Sequence, residues 1–174
     1  MALSRSHITD AASREKTLHE RINQTFRRRG EGKKEYEAWS RACEEWRSHS
    51  SPLDVFWSDG FIKKLRKGDR EAVEASILFL EVDPFYHRSG YLKEKLIRCL
   101  RAEILTERDK VRLRSVVWNV ARGANRREFS NFCTLASRVS TPEFELQIES
   151  GIEQYDDECG GKLSKLLQRL RRNQ

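Results

Sequence analysis

Three residues of the kind that cap helices, Asp69, Thr106 and Thr141, stand 37 and 35 residues apart, and the same order of elements follows each. After each cap comes one apolar-periodic helix, a connection and a second helix. The second helices carry Leu92, Leu96 and Leu100, then Phe129, Phe132 and Leu135, then Leu163, Leu166, Leu167 and Leu170. Apolar side chains recurring every three or four residues share one helix face, and that face has to be buried. A two-helix unit buries its face by stacking on the next unit. A period in the mid-thirties therefore predicts stacked helix pairs, a short α-solenoid-like array, over residues 69–174.

Residues 1–68 read as an N-terminal helical part packed on that array, the whole forming one compact all-α domain. Leu18, Ile22 and Phe26 mark a first helix after a cap at Thr9 or Asp10, and "RRRGEG" breaks it. Tyr36, Trp39, Cys43 and Trp46 mark a second. In "SHSSPLD", Ser51 is a cap and Pro52 a first helical residue, and a third helix then carries Trp57, Phe61 and Leu65 up to Gly68. "SILFLEV" has the look of a strand, but the helix formers of "DREAVEA" lead into it without a turn signal.

With this period and two helices per unit, residues 69–172 resemble HEAT-like or TPR-like helical-repeat proteins, without the fixed Trp, Gly, Tyr and Pro positions of the tetratricopeptide pattern. The centre, "FLEVDPFYHRSGYLKEKL", is similar to that of small uncharacterised bacterial helical proteins. What the resemblance implies is a fold and little else.

The net charge is +7, and it is uneven. Residues 106–140 hold eight basic against three acidic side chains, whereas 141–174 hold five against seven. A basic band of this kind steers anionic partners. Within it, positions 108, 112, 115, 119 and 122 form one polar helix stripe of Arg, Arg, Ser, Asn and Arg, opposite Leu113, Val116, Val117 and Val120. Arg126 and Arg127 follow in the next connection. The expectation is one exposed positive surface made of Arg108, Arg112, Arg122, Arg126 and Arg127. Forked guanidinium groups on such a surface suit phosphates. The final "KLSKLLQRLRRNQ" reads as an amphipathic helix docked on the array with its Arg end free.

"EVDPFYHRSGYLKEKL", residues 81–96, crowds Pro84, aromatics, His87 and Arg88 into one connection. As a turn, it has Phe85 as the buried anchor, His87 and Arg88 exposed, and Ser89 capping the next helix. As a site, it offers His87 and Arg88 to a partner. An enzyme built on residues 83–94 would use Asp83, Tyr86, His87, Arg88, Tyr91, Lys93 and Glu94, but acid–base partners have to converge in space, and neighbours in a turn diverge.

Asp156, Asp157 and Glu158 are carboxylates of the type that holds hard cations, but the alternating order of a calcium loop is missing. No phosphate-cradling Gly loop, catalytic signature, cofactor motif or zinc spacing occurs, so no catalytic residue, metal or cofactor is assigned. The four cysteines form no CxxC pair, and with the exception of Cys159 they sit in apolar-periodic stretches. The N-terminus lacks an apolar core and no run reaches bilayer-spanning length, so a cytoplasmic chain without membrane insertion is expected. The function expected is a non-catalytic interaction module whose first candidate partner is another protein and whose second is nucleic acid. The oligomeric state is left open.

Overall fold

The computed structural model describes residues 3–155 and 157–172. Of the described residues 79% are helical, and there is no strand among them. Helix α1 spans Arg5–Arg28 and α2 spans Lys33–Ser48. A 3-10 turn, Pro52–Trp57, leads into α3, Asp59–Leu65. Three pairs follow: α4 (Arg70–Val82) with α5 (Ser89–Leu100), α6 (Glu107–Arg122) with α7 (Phe129–Val139), and α8 (Pro142–Gln154) with α9 (Asp157–Arg171).

All three periodic caps act as caps. The side chains of Asp69, Thr106 and Thr141 accept the backbone N–H groups of Ala72, Asp109 and Phe144. These bonds satisfy donors that a helix start leaves without a partner. Ser51 caps the 3-10 turn with Pro52 behind it, as its sequence signal indicates. Two caps lie elsewhere than expected. Helix α1 starts earlier, because Ser4 and His7 form a reciprocal capping box, which leaves Thr9 and Asp10 inside the helix. Ser89 is the first residue of α5, and its hydroxyl accepts the Tyr86 N–H at 3.2 Å instead of capping the helix.

The pairs stack through like helices: α4 packs on α6, α5 on α7, and α7 on α9. The predicted stripes are the buried ones, with Leu92, Leu96, Leu100, Phe132, Leu135, Leu163, Leu166, Leu167 and Leu170 all in the core. One continuous apolar cluster runs from Ile8 to Leu170, taking in Leu53, Phe56 and Leu65 of the N-terminal part. Helix α1 joins it by packing on α4. The third pair departs from regular stacking. Helix α9 packs on both α6 and α7, while α8 stands off from α6. A groove of about 620 Å³ opens between α6 and α8, lined by Val111, Arg114, Trp118, Phe144 and Gln147 among others. The Trp118 indole closes on Gly151, where an added Cβ would come within 2.7 Å of the ring.

The C-terminal helix docks as its pattern predicts. Its arginine end is tied down, because Arg171 forms an ion pair with Glu149 of α8. No helix among the described residues is long and apolar enough to cross a membrane.

Candidate interaction surface at the loop edge

The connections α4–α5 and α6–α7 meet at one end of the stack. Asp83 ends α4 in the left-handed conformation (φ 52°), and Arg88 precedes α5 in the same region (φ 67°). These are the only two non-glycine residues with positive φ among the described residues. Asp tolerates that region better than most residues, whereas an Arg there is uncommon. Such strain costs about 1–3 kcal/mol per residue and collects at functional sites.

Between these two points the chain alternates. Pro84 is buried, Phe85 is exposed and Tyr86 is buried. The expectation that Phe85 anchors the loop is therefore wrong: its side chain is 78% exposed. In an extended segment successive side chains point to opposite sides, so burying Pro84 and Tyr86 turns Phe85 outward. The anchors are Pro84 and Tyr86.

Under the loop lies an ionic cluster. Lys93 of α5 is fully buried, with its Nζ 2.6 Å from Asp83 Oδ1 and 3.8 Å from Glu128 Oε1. The contact with Asp83 lacks hydrogen-bond alignment, so charge holds it. Asp83 also pairs with Arg126 through its other oxygen. Arg127 bonds to Glu94 at 2.8 Å and lies 3.7 Å from the centre of the Tyr91 ring. On the other flank Arg88 sits over the Trp57 ring at 5.3 Å.

His87 is exposed as expected, but it is packed on one side. Its ring stacks on His19 of α1 at 4.1 Å and meets Trp46 of α2 edge-on at 5.9 Å. Desolvation, then His19 and Arg88, pull its pKa below the ordinary 6.5. The folded state thus binds fewer protons than the unfolded chain between that depressed value and 6.5, and stability falls as pH drops through the window. Thermal melts from pH 7.5 to 5 should show this decline, and His87→Phe, which keeps a ring in the stack, should flatten it. An unchanged slope would exclude His87 as its source.

Beneath His87 the Tyr86 hydroxyl is buried without a hydrogen-bond partner. Burial, with the charges of Glu15 and Asp54, pushes its pKa up. Glu15 is buried too, and desolvation raises its pKa against the opposing Ser51 hydroxyl.

The arginine band is not the single exposed surface its spacing predicts. Arg108 is exposed. Arg112 is held at 2.7 Å by Glu74 and by Glu81 of α4, and its side chain is mostly buried. Arg126 is bound to Asp83 and half-buried. Arg122 is exposed, donates to Tyr155 Oη and Asn119 Oδ1, and lies over Trp118. At the other end of α6, Asp109 is buried and pairs with Arg70 of α4. Burial pushes its carboxyl up, but hydrogen bonds from Arg70 and Thr106 outweigh that and bring its pKa to about 2. The carboxylates that neutralise Arg112 and Arg126 lie 31 to 43 residues away in sequence, so helical spacing within the band could not reveal them.

Five of the seven sequence-derived candidates, His87, Arg88, Arg122, Arg126 and Arg127, belong to this end of the stack, while Arg108 and Arg112 lie further back along α6. The sequence reading missed Phe85 as a surface residue, and Tyr91, a candidate only for an enzyme at residues 83–94, is exposed as well. The alternation across Pro84 was the available signal. Of the acidic candidates, Asp157 and Glu158 are exposed in the first turn of α9, and Asp156 lies outside the described residues. The all-helical paired arrangement is compatible with a helical repeat. No protein-family model matches the sequence, and neither the curated proteins nor the solved structures give a match to it.

Proposed function

We propose that this chain is a non-catalytic interaction module of the HEAT-like kind that binds another protein through the loop edge, with Phe85 as its anchor. The observation that carries this reading is the exposure of Phe85 on a connection braced at both ends. A phenylalanine in that position stabilises nothing inside its own fold, while aromatic side chains dominate the centres of protein interfaces. The ion pairs beneath it hold the loop in place, so little ordering is left for binding to do. The same pairs weigh against an enzyme at residues 83–94. Asp83 and Lys93 neutralise each other in the interior and present no free acid or base to a substrate.

Nucleic-acid binding through Arg108–Arg127 is the second reading, favoured by the +7 charge and by the exposure of Arg108, Arg122 and Arg127. It is the weaker of the two because Arg112 and Arg126 already carry carboxylates. One pair of experiments decides between them. The intact chain and Phe85→Ala are used as bait in extracts of the native host, and both are titrated with a fluorescent oligonucleotide at two salt concentrations. The protein reading expects captured proteins that disappear with Phe85→Ala while the dichroism spectrum stays unchanged. An eluate indifferent to Phe85→Ala overturns it. Oligonucleotide binding that weakens steeply with salt, and is lost when Arg108, Arg122 and Arg127 are changed to Gln, would establish the second reading.

A further inference from the structure

Resting on the reading of the loop edge as a protein-binding surface, we infer the chemistry of its partner: a segment that offers an apolar socket for Phe85, rimmed by Asp or Glu side chains. The inference comes from how the charges of this end are sorted. The carboxylates paired with cations in the two connections are turned inward. The side chains of Asp83, Glu94 and Glu128 are 23%, 21% and 9% exposed and are engaged by Lys93, Arg126 and Arg127. Apart from the buried Lys93 and the half-buried Arg126, the cations of this end reach the surface. Arg88 is exposed, the Arg127 side chain is 52% exposed, and Lys95 reaches over the outer Trp57 ring. An approaching surface therefore meets positive charge around an apolar tip, and acidic side chains complement it while basic ones are repelled.

Nucleic acid offers negative charge as well, but apart from Phe85 the aromatic faces on this edge are already covered. Arg127 lies on Tyr91, Arg88 and Lys95 lie over Trp57, and Arg122 lies over Trp118 and Tyr155. Base stacking needs open aromatic faces. The forks of Arg122 and Arg127 are also in use, on Tyr155 and Asn119 and on Glu94. Carboxylates at a rim act through charge at a distance and displace none of these contacts.

The test is a selection of random linear peptides displayed on phage against the intact chain, with Phe85→Ala as the counter-target. Enriched peptides are then synthesised and titrated by fluorescence. The expected result is peptides with a large apolar residue flanked by Asp or Glu. Their affinity should fall about tenfold between 50 and 200 mM salt, as screening of a few rim charges implies. In the variant Arg88→Glu/Lys95→Glu, with its helical dichroism unchanged, the same selection should lose the acidic flanks. Peptides that depend on Phe85 but carry no acidic bias overturn the partner chemistry and leave the loop-edge reading standing. A selection without any Phe85-dependent enrichment overturns both. Tight binding of a fluorescent oligothymidylate that is lost with Phe85→Ala overturns the inference in favour of nucleic acid.

Discussion

Asp83→Asn will cost the fold about 3–5 kcal/mol, the typical result of removing one partner from a buried ion pair. The substitution keeps a side chain that tolerates the left-handed region, so the change in charge dominates the effect. Lys93 would then remain fully buried with only Glu128, 3.8 Å away. Lys93→Met should behave differently. It removes the buried cation, replaces it with a flexible apolar chain of similar length, and leaves Asp83 paired with Arg126. Its loss should be smaller than that of Asp83→Asn, because Asp83 keeps Arg126 and only Glu128, 3.8 Å from the Lys93 Nζ, loses its cation. The double variant should recover much of what Asp83→Asn loses. Urea denaturation of the four proteins tests this cycle, and additive losses would show that Lys93 and Asp83 do not act as a pair.

The second large effect separates two phenylalanines six residues apart. Phe79 of α4 is 0% exposed and packs on Phe56 with ring centres 4.8 Å apart, tying the 3-10 turn to the stack. Phe79→Ala should lose about 3–5 kcal/mol, the sum of lost transfer energy and the cavity left behind. Phe85→Ala should shift stability by less than about 0.5 kcal/mol, the usual range for surface changes. A reversed order in chemical denaturation would mean that the loop packs with Phe85 inward, and the proposed anchor would be lost with it.

The fold was legible because it is written locally. Capping side chains at Asp69, Thr106 and Thr141 and stripes such as Leu163, Leu166, Leu167 and Leu170 are set by neighbours within a turn or two, and helical periodicity reads those directly. The candidate surface was legible only in part. The stretch 81–96 stood out by its residue types, but the direction of each side chain depended on groups far away in sequence. Phe85 points out because Pro84 and Tyr86 are buried, with Glu15 of α1 and Asp54 of the 3-10 turn near Tyr86. Arg112 is neutral in effect because Glu74 and Glu81 sit across a helix interface. His87 gained an aromatic environment from His19 and Trp46, which helical spacing assigned to a separate part of the chain. Periodicity says which face of a helix is apolar and nothing about which carboxylate waits on the next helix.

Helix α2 carries a consequence for how the molecule breathes. It packs chiefly on α1, and Ala42 is its only fully buried residue. An element held by so little interior contact opens in excursions of its own, well below the free energy that unfolds the stack. The exchange clock of its amides therefore runs ahead of that of α5 or α7, and each excursion lifts Trp46 off the His87 ring. Helix α2 reaches the loop at that imidazole, so the partner-facing end of the molecule feels the fluctuations of α2 through the Trp46–His87 contact while the buried ion pairs hold the backbone beneath it still.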